Sequence, residues 1–459
     1  MRKSGKKKDS SVDVREIVLE ALLVIARQEE YSHVVMGGIL DKYNYLALQE
    51  KAFMKRLLEG TLERRIQLDY CIDGISSVPV KKMKPFIREL LRMSAYQLLF
   101  MDSVPDSAVC NEAVKLADSH SFHALKGFVN GVLRNLSRKK GEIVWPDREK
   151  DRLASLSVCY SMPRWLVEKW DSEQGKERTE PILQGLLQER PVTVRLKKNL
   201  TAEEIAAVRT ELESENIRVK EIPDLSYAWH LERVEGLKNI PAFLAGKFTV
   251  QDVSSMLAVE AAGIREGDCV IDVCAAPGGK TMLAAELAGG KGQVLARDIS
   301  LEKLALIEEN RDRMGADNVT VEQWDAAAYD REKAGLADVV LADVPCSGLG
   351  VIGKKRDIKY RITPERIEAL VPLQRQILET VWQYVKPGGV LLYSTCTVSR
   401  AENEEMVQWF LSEFPFHAGS LTSYLPKQFA GETLEKGYYQ FLPGMQGTDG
   451  FFIARFVRD

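Results

Sequence analysis

Residues 269–289 read CVIDVCAAPGGKTMLAAELAG. An apolar strand runs into the turn Cys274-Ala275-Ala276-Pro277-Gly278-Gly279-Lys280, and a helical stretch follows at once. A glycine-rich turn after a first strand lets a ligand approach the backbone. Three ligands compete for such a turn. A phosphate loop needs a glycine five positions before Gly-Lys-Thr, where Cys274 stands. A dinucleotide loop needs GxGxxG, which is absent. S-adenosylmethionine remains: its carboxylate and ammonium suit a tight turn at a helix N-terminus beside an acidic residue.

The stretches around this turn repeat its pattern. GQVLARD (292–298), NVTVEQWD (318–325), DVVLADV (338–344) and GGVLLYSTC (388–396) are apolar strand candidates with helical segments between them. Strand–helix alternation predicts a doubly wound, mostly parallel α/β sheet from residue 248 onward. YYQFLPGMQGTDGFFIARFV (438–457) predicts an antiparallel hairpin at the sheet edge. Asp298 ends the second strand, where a carboxylate takes ribose hydroxyls, and Asp325 ends the third, near the expected adenine edge.

Two cysteines hold matching places. Cys346 follows the fourth strand in Asp343-Val344-Pro345-Cys346, and Cys396 follows the fifth in Ser394-Thr395-Cys396. Adjacent strands lie about 4.8 Å apart and their C-terminal ends form the ligand crevice, so both thiols should face the cofactor pocket. Carbon 5 of a pyrimidine is a poor nucleophile. A thiolate added at carbon 6 makes the ring enamine-like and able to attack a methyl sulfonium. Asp343 can hold the protonated ring nitrogen 3, and a second thiol can assist release. The residues alone do not say which thiol plays which part.

Before this half the pattern changes. Residues 12–140 carry apolar positions at three-to-four spacing and no strand-like alternation, which predicts a helical bundle. KKGEIVWPDREK ends it. Residues 151–190 return to helix, and PVTVRLK, a helix capped by Thr201, and RVKEIP suggest a small α+β module. Residues 1–140 hold 24 Lys and Arg against 17 Asp and Glu, while the whole chain of 459 residues is at −3. A basic front on an acidic remainder suits a polyanionic partner, and a uniformly basic coat is excluded. Lys6, Lys7 and Lys8 read as a disordered tail. Arg134, Arg138, Lys139 and Lys140 could serve a helix dipole or RNA equally. Seven cysteines without zinc spacing argue against a disulfide scaffold or a metal site. The chain start lacks the apolar core of a signal peptide, and no run nears a membrane span. A cytoplasmic enzyme without membrane or metal partners, and a monomer, is expected.

DVCAAPGGKT, DVPCSGLG and STCTVSRAENE resemble the RNA cytosine-carbon-5 methyltransferases of the Sun/NOP2 family. AYQLLFMDSVPDSAVCNEAVKLAD and FVNGVLR resemble the RNA-binding NusB domain. That pairing is similar to bacterial 16S rRNA methyltransferases and covers nearly the whole chain after the first ten residues. The resemblance implies four parts: a tail at 1–10, a NusB-like all-α bundle at 11–145, a helical linker with a small α+β module at 146–247, and a Rossmann-like α/β methyltransferase domain at 248–459. It implies that Cys396 is the nucleophile and that Cys346 helps release product. It also implies that Cys274 through Lys280, Asp298, Asp325 and Asp343 hold S-adenosylmethionine, Asp343 serving the nucleobase as well. Ser161-Met162-Pro163 and Gly444-Met445-Gln446 depart from the family pattern without touching the chemistry. Two rival functions stand beside 16S rRNA methylation. A tRNA cytosine methyltransferase is disfavoured by the NusB-like front. A silent RNA-binding factor is disfavoured by intact Cys346, Cys396 and Asp343.

Overall fold

The computed structural model describes residues 13–27, 30–234, 236–445 and 447–459. The tail with Lys6, Lys7 and Lys8, and Gln446, lie outside the described residues. The chain divides into two compact units. The first comprises Met1–Lys176 together with Lys355–Arg361, and the second Glu177–Lys354 with Ile362–Asp459.

The first unit is helical, as the three-to-four spacing requires. Its axis is the helix Pro85–Phe100, which buries Leu90, Leu91 and Ala95 completely and starts on a proline that needs no donor there. Val14–Ala26 packs beside it, its first turn capped by Asp13, whose carboxylate accepts from the N–H groups of Arg15 and Glu16. Arg92 is buried on the central helix. It is affordable there because Asp69 takes it through two bonds of 2.7 and 2.6 Å and Glu89 through a third.

A seven-residue piece of the later sequence completes this unit. Asp357 accepts from the backbone N–H and hydroxyl of Ser32 at 3.1 and 2.5 Å. Lys359 is buried and donates to the carbonyls of Glu63 and Ser161. Tyr360 donates to the carbonyl of Leu62. KRDIKYR has too few apolar positions to read as core in the sequence, because its burial is carried by hydrogen bonds.

The second unit holds two sheets. Strands β1 (Val192–Leu196), β2 (Arg218–Ile222), β3 (Leu225–Glu232) and β4 (Phe248–Val250) form an antiparallel sheet in the order β2-β3-β1-β4. The boundary expected at 247/248 therefore runs through a sheet. Phe248 pairs with Leu196, and FTV is the edge strand of the small module, not the start of the next part. The larger sheet contains β5 (Cys269–Asp272), β6 (Gln293–Asp298), β7 (Val319–Gln323), β8 (Ala337–Asp343), β9 (Val385–Thr395), β10 (Phe416–Ala418), β11 (Tyr438–Phe441) and β12 (Phe451–Arg458). Its order is β10-β12-β9-β8-β5-β6-β7, with β11 paired to β12. Strands β5 to β9 run parallel. Both faces are covered. Val339, Leu341 and Leu392 pack with the helices Val253–Ala262 and Gly279–Ala288. Val340, Leu391 and Tyr393 pack with Pro364–Val381 and Glu404–Glu413. That is why these strands read as apolar runs and not as alternations.

The terminal hairpin departs from expectation. β12 is not at the edge but lies between β9 and β10, antiparallel to both. FFIARFVR is apolar at most positions, so both flanks need cover. No helix of the described residues is long and apolar enough to cross a membrane.

Candidate active site

The turn after β5 is built as the sequence suggests. Gly278 has φ +102°, a left-handed conformation that favours glycine, and it caps the helix Gly279–Ala288. The Gly278 N–H donates to Ala275 O, and the Ala275 N–H donates to Arg297 O at the end of β6. The Ala276–Pro277 peptide is cis. All of Cys274 to Lys280 except Gly278 line one cleft, together with Asp343 and Cys396.

The charged groups of the cleft are interlocked. Lys280 Nζ lies 2.7 Å from Asp343 Oδ2, and Ser394 Oγ donates to Asp343 Oδ1 at 2.8 Å. The ammonium also stands 5.0 Å from the centroid of the Phe451 ring. Burial lowers the Lys280 ammonium most, but the charge and hydrogen bond of Asp343, with Asp272 and Cys396, together outweigh it and the net shift is upward. Asp272 is almost wholly enclosed. Its Oδ2 accepts from Thr281 Oγ1, and its Oδ1 finds no partner among the described residues. Burial pushes its carboxyl up to about 7, against the pull of Thr281 and Lys280.

Parallel register brings the two cysteines together. Asp343 of β8 faces Ser394 of β9, and the chains leave the sheet side by side. Cys346 Sγ lies 3.2 Å from Cys396 Sγ, and the Cys396 N–H points at Cys346 Sγ at 3.2 Å. Both side chains are partly accessible. The hydrogen bond to Cys396 holds the Cys346 thiol proton well above the usual range, with burial and the nearby charges of Cys396 and Glu402 acting the same way. Cys274 is also held protonated, mainly by burial.

The other expected residues stand at the margin. Asp298 is buried, and its Oδ2 accepts the Ala276 N–H at 3.3 Å, which ties it to the turn. Asp325 lies two residues beyond β7 and is exposed, with Oδ1 accepting from Ala327 N–H. Three further groups line the cleft without having been singled out: Gln251, Asp252 and Asp449. Gln251 Oε1 accepts from Arg195 at 2.8 Å. Lys354 bridges Asp252 and Asp449 at 3.0 and 2.5 Å. Burial, reinforced by the Asp252 charge, raises Asp449 to about 6. Only the QD and TDG steps around these residues could have pointed to them.

Residues 260–457 match the model of the 16S rRNA methyltransferase RsmB/F family, and residues 12–138 match the NusB family. The Bacillus subtilis (strain 168) protein named probable ribosomal RNA small subunit methyltransferase B is 36% identical over 451 residues, covering 96% of this chain and 98% of its own. The chain belongs to the ribosomal RNA small subunit methyltransferase B family. The Salmonella arizonae member of the family is 31% identical, covering 97% of this chain and 99% of its own. The crystal structure of PH0851 superposes with a TM-score of 0.80 at 26% identity, covering 97% and 99% of the two chains. A methyltransferase homologue from Pyrococcus horikoshii gives 0.58 at 25% identity over 67% of this chain and 99% of its own.

Methyltransferases of this family depend on S-adenosylmethionine. The cleft fits that cofactor. A left-handed glycine opens the helix N-terminus, and an unpartnered buried carboxylate oxygen on Asp272 awaits a donor.

Proposed function

We propose that this chain methylates carbon 5 of a cytosine in 16S rRNA through a covalent bond between Cys396 and carbon 6 of the base. The observation that carries the proposal is the contact of two thiols, 3.2 Å apart, with Cys396 lining the same cleft as Asp343 and Lys280. Lys280 stands on the Cys396 side, its ammonium stabilised by negative charge on that sulfur. Glu402 stands on the Cys346 side and disfavours charge there. The contact with Cys396, with burial and Glu402, keeps Cys346 a thiol, and the family resemblance names Cys396 as the nucleophile.

The chemistry follows from these positions. The Cys396 thiolate adds to carbon 6, and a proton taken from solvent at nitrogen 3 leaves a neutral enamine. Asp343, held by Lys280 and Ser394, accepts the hydrogen bond from nitrogen 3. S-adenosylmethionine supplies a methyl group on a sulfonium, an electrophile that carbon 5 can attack. Asp272 and the turn Cys274 to Lys280 would hold the cofactor, and Asp298, which fixes the turn through Ala276, would take its ribose hydroxyls. Asp325 would take the adenine edge. Loss of the carbon 5 proton to solvent then re-forms the carbon 5–carbon 6 double bond and expels the Cys396 thiolate, and nitrogen 3 returns its proton to solvent. The Cys346 thiol, in contact with that sulfur, donates a hydrogen bond to the departing charge. Exposed loops of rRNA can present such a base unstacked, and the target is flipped into the cleft.

The helical unit supplies RNA affinity through its basic surface. An rRNA substrate implies a cytoplasmic site of action, and the chain acts as a monomer without metal. Incubation of the full chain with 16S rRNA and labelled cofactor, followed by base-resolution mapping, tests the proposal. Label on carbon 5 of one cytosine is expected. Label on an exocyclic nitrogen or a ribose would overturn it.

A further inference from the structure

We infer that Gln251 is a cofactor-binding residue, its side-chain amide held by Arg195 so that an N–H group meets the carboxylate of S-adenosylmethionine. This rests on the cleft being the cofactor site, as read above.

Gln251 follows β4 directly and is buried. Its backbone N–H donates to the Thr193 carbonyl of β1 at 3.1 Å, so the small antiparallel sheet carries it to the cleft that it lines. Arg195, also on β1, is wholly buried. Its Nε donates to Gln251 Oε1 at 2.8 Å, and its Nη1 donates to Glu286 Oε2 at 2.7 Å. Glu286 belongs to the helix Gly279–Ala288, which starts at the cofactor turn. One guanidinium thus ties the small sheet, the Gln251 amide and the cofactor helix together. Glu286 compensates its charge in place, and the Lys198 N–H donates to the same carboxylate oxygen at 3.0 Å.

An arginine has donors only, so the atom of Gln251 that faces it must be the carbonyl oxygen. The amide cannot flip without setting N–H against N–H. Nε2 carries two N–H groups, and Ser255 Oγ accepts one at 3.4 Å, close to the limit of a hydrogen bond. The amide stands beside the helix N-terminus. A Cβ on Gly279 would lie 3.9 Å from Nε2, and glycine puts nothing between them. The Met282 N–H bonds to Gly278 O, so the N–H groups of Gly279, Lys280 and Thr281 before it have no carbonyl within the helix. Donors from the helix and from the amide therefore meet at one corner of the cleft. S-adenosylmethionine has one anionic group, its carboxylate, and that is the group such a corner takes. The unpartnered Asp272 Oδ1 is an acceptor suited to its ammonium. Arg195 does not line the cleft and acts through Gln251.

Calorimetry on the full chain without RNA tests this with two ligands, S-adenosylmethionine and its decarboxylated form, which keeps the ammonium, sulfonium, ribose and adenine. The wild-type chain should prefer the carboxylated ligand by about tenfold or more. Equal affinities in the wild-type chain would overturn the inference with no variant made. Gln251→Glu keeps an oxygen for Arg195 and the tie to the sheet, but exchanges the N–H donor for an anion. It should weaken S-adenosylmethionine by about tenfold or more and leave the decarboxylated ligand within about twofold. Arg195→Lys keeps the charge beside Glu286 and loses the fork. Its preference for the carboxylated ligand should shrink towards that of Gln251→Ala, and the double variant should lose nothing further. A purely structural tie predicts otherwise: Gln251→Glu, which preserves it, leaves both affinities in place, and Arg195→Lys weakens both ligands alike. Either result would overturn the inference. Asp298→Ala separates this from failure of the cleft reading, because it should weaken both ligands equally through the ribose they share. If it does so while Gln251→Glu changes neither, the inference alone falls. If neither variant moves either affinity, the cofactor binds elsewhere and both readings fall.

Discussion

Lys280 and Asp343 are 63 residues apart in sequence and 2.7 Å apart in space, and their ion pair joins the turn after β5 to the end of β8, three residues before Cys346. The pair is mostly enclosed, with side-chain exposures of 12% and 29%, so solvent screens it only in part. Asp343→Asn removes the charge that orients Lys280 and that, in the proposed mechanism, accepts from nitrogen 3. Methylation should fall on the order of 10²–10³-fold, the usual scale for one preorganised electrostatic contact. Single-turnover rates with saturating RNA check this. A change below threefold would remove Asp343 from the chemistry.

Asp298 takes the Ala276 N–H and lies beside the turn. Asp298→Ala should weaken S-adenosylmethionine by more than the ~1 kcal/mol of an ordinary hydrogen bond, because the acceptor is charged. Calorimetry measures it directly. Unchanged affinity would exclude a ribose contact.

Asp272 gives a stability that depends on pH. Its folded carboxyl is raised by burial to about 7, against an ordinary value of 3.8. Between these values the folded chain keeps a proton that the unfolded chain has lost, so stability falls as pH rises from about 4 to about 7 and then levels. The accumulated cost has an upper limit of about 4 kcal/mol. Asp272→Asn should melt higher than the wild-type chain at pH 8, and the difference should vanish near pH 4. Equal melting curves at pH 8 would show that Asp272 is not held neutral by its surroundings.

Arg134 and Arg138, exposed on the helix Lys126–Lys139, bear on RNA binding. If they meet phosphates, the logarithm of RNA affinity should fall linearly with the logarithm of salt concentration. Replacing both with Gln should then reduce the slope by about 2. Lys140 is a weaker candidate than its neighbours, because Asp106 already holds it at 3.0 Å. An unchanged slope in the double variant would place the RNA elsewhere.

Much of this was legible in the residues. The turn at 274–280 and the parallel strands could be read because their signals are local: a glycine that must turn, and runs of apolar residues buried on two faces. The adjacency of Cys346 and Cys396 could be read because β8 and β9 follow one another in a parallel sheet. What could not be read depends on distant partners. Phe248 begins a strand only because Leu196 is there to pair with it. Lys359 is a core residue of the helical unit only because the carbonyls of Glu63 and Ser161 accept its protons. Glu402 looked like one acid in an acidic turn, and its burial under Ser347 and Gln374 is a tertiary fact.

The covalent account stands on the separate roles of the two thiols, and one comparison tests it most directly. Each cysteine is replaced by alanine in the full chain, and each variant is incubated with 16S rRNA and S-adenosylmethionine, then denatured and run on a gel. Addition and elimination are different steps, and each substitution blocks one of them. Cys396→Ala should give neither methylation nor a protein–RNA band. Cys346→Ala should add to carbon 6 and transfer the methyl group, then release slowly, so that a denaturation-resistant protein–RNA band accumulates. A persistent band with Cys396→Ala and none with Cys346→Ala would contradict the account and exchange the two roles.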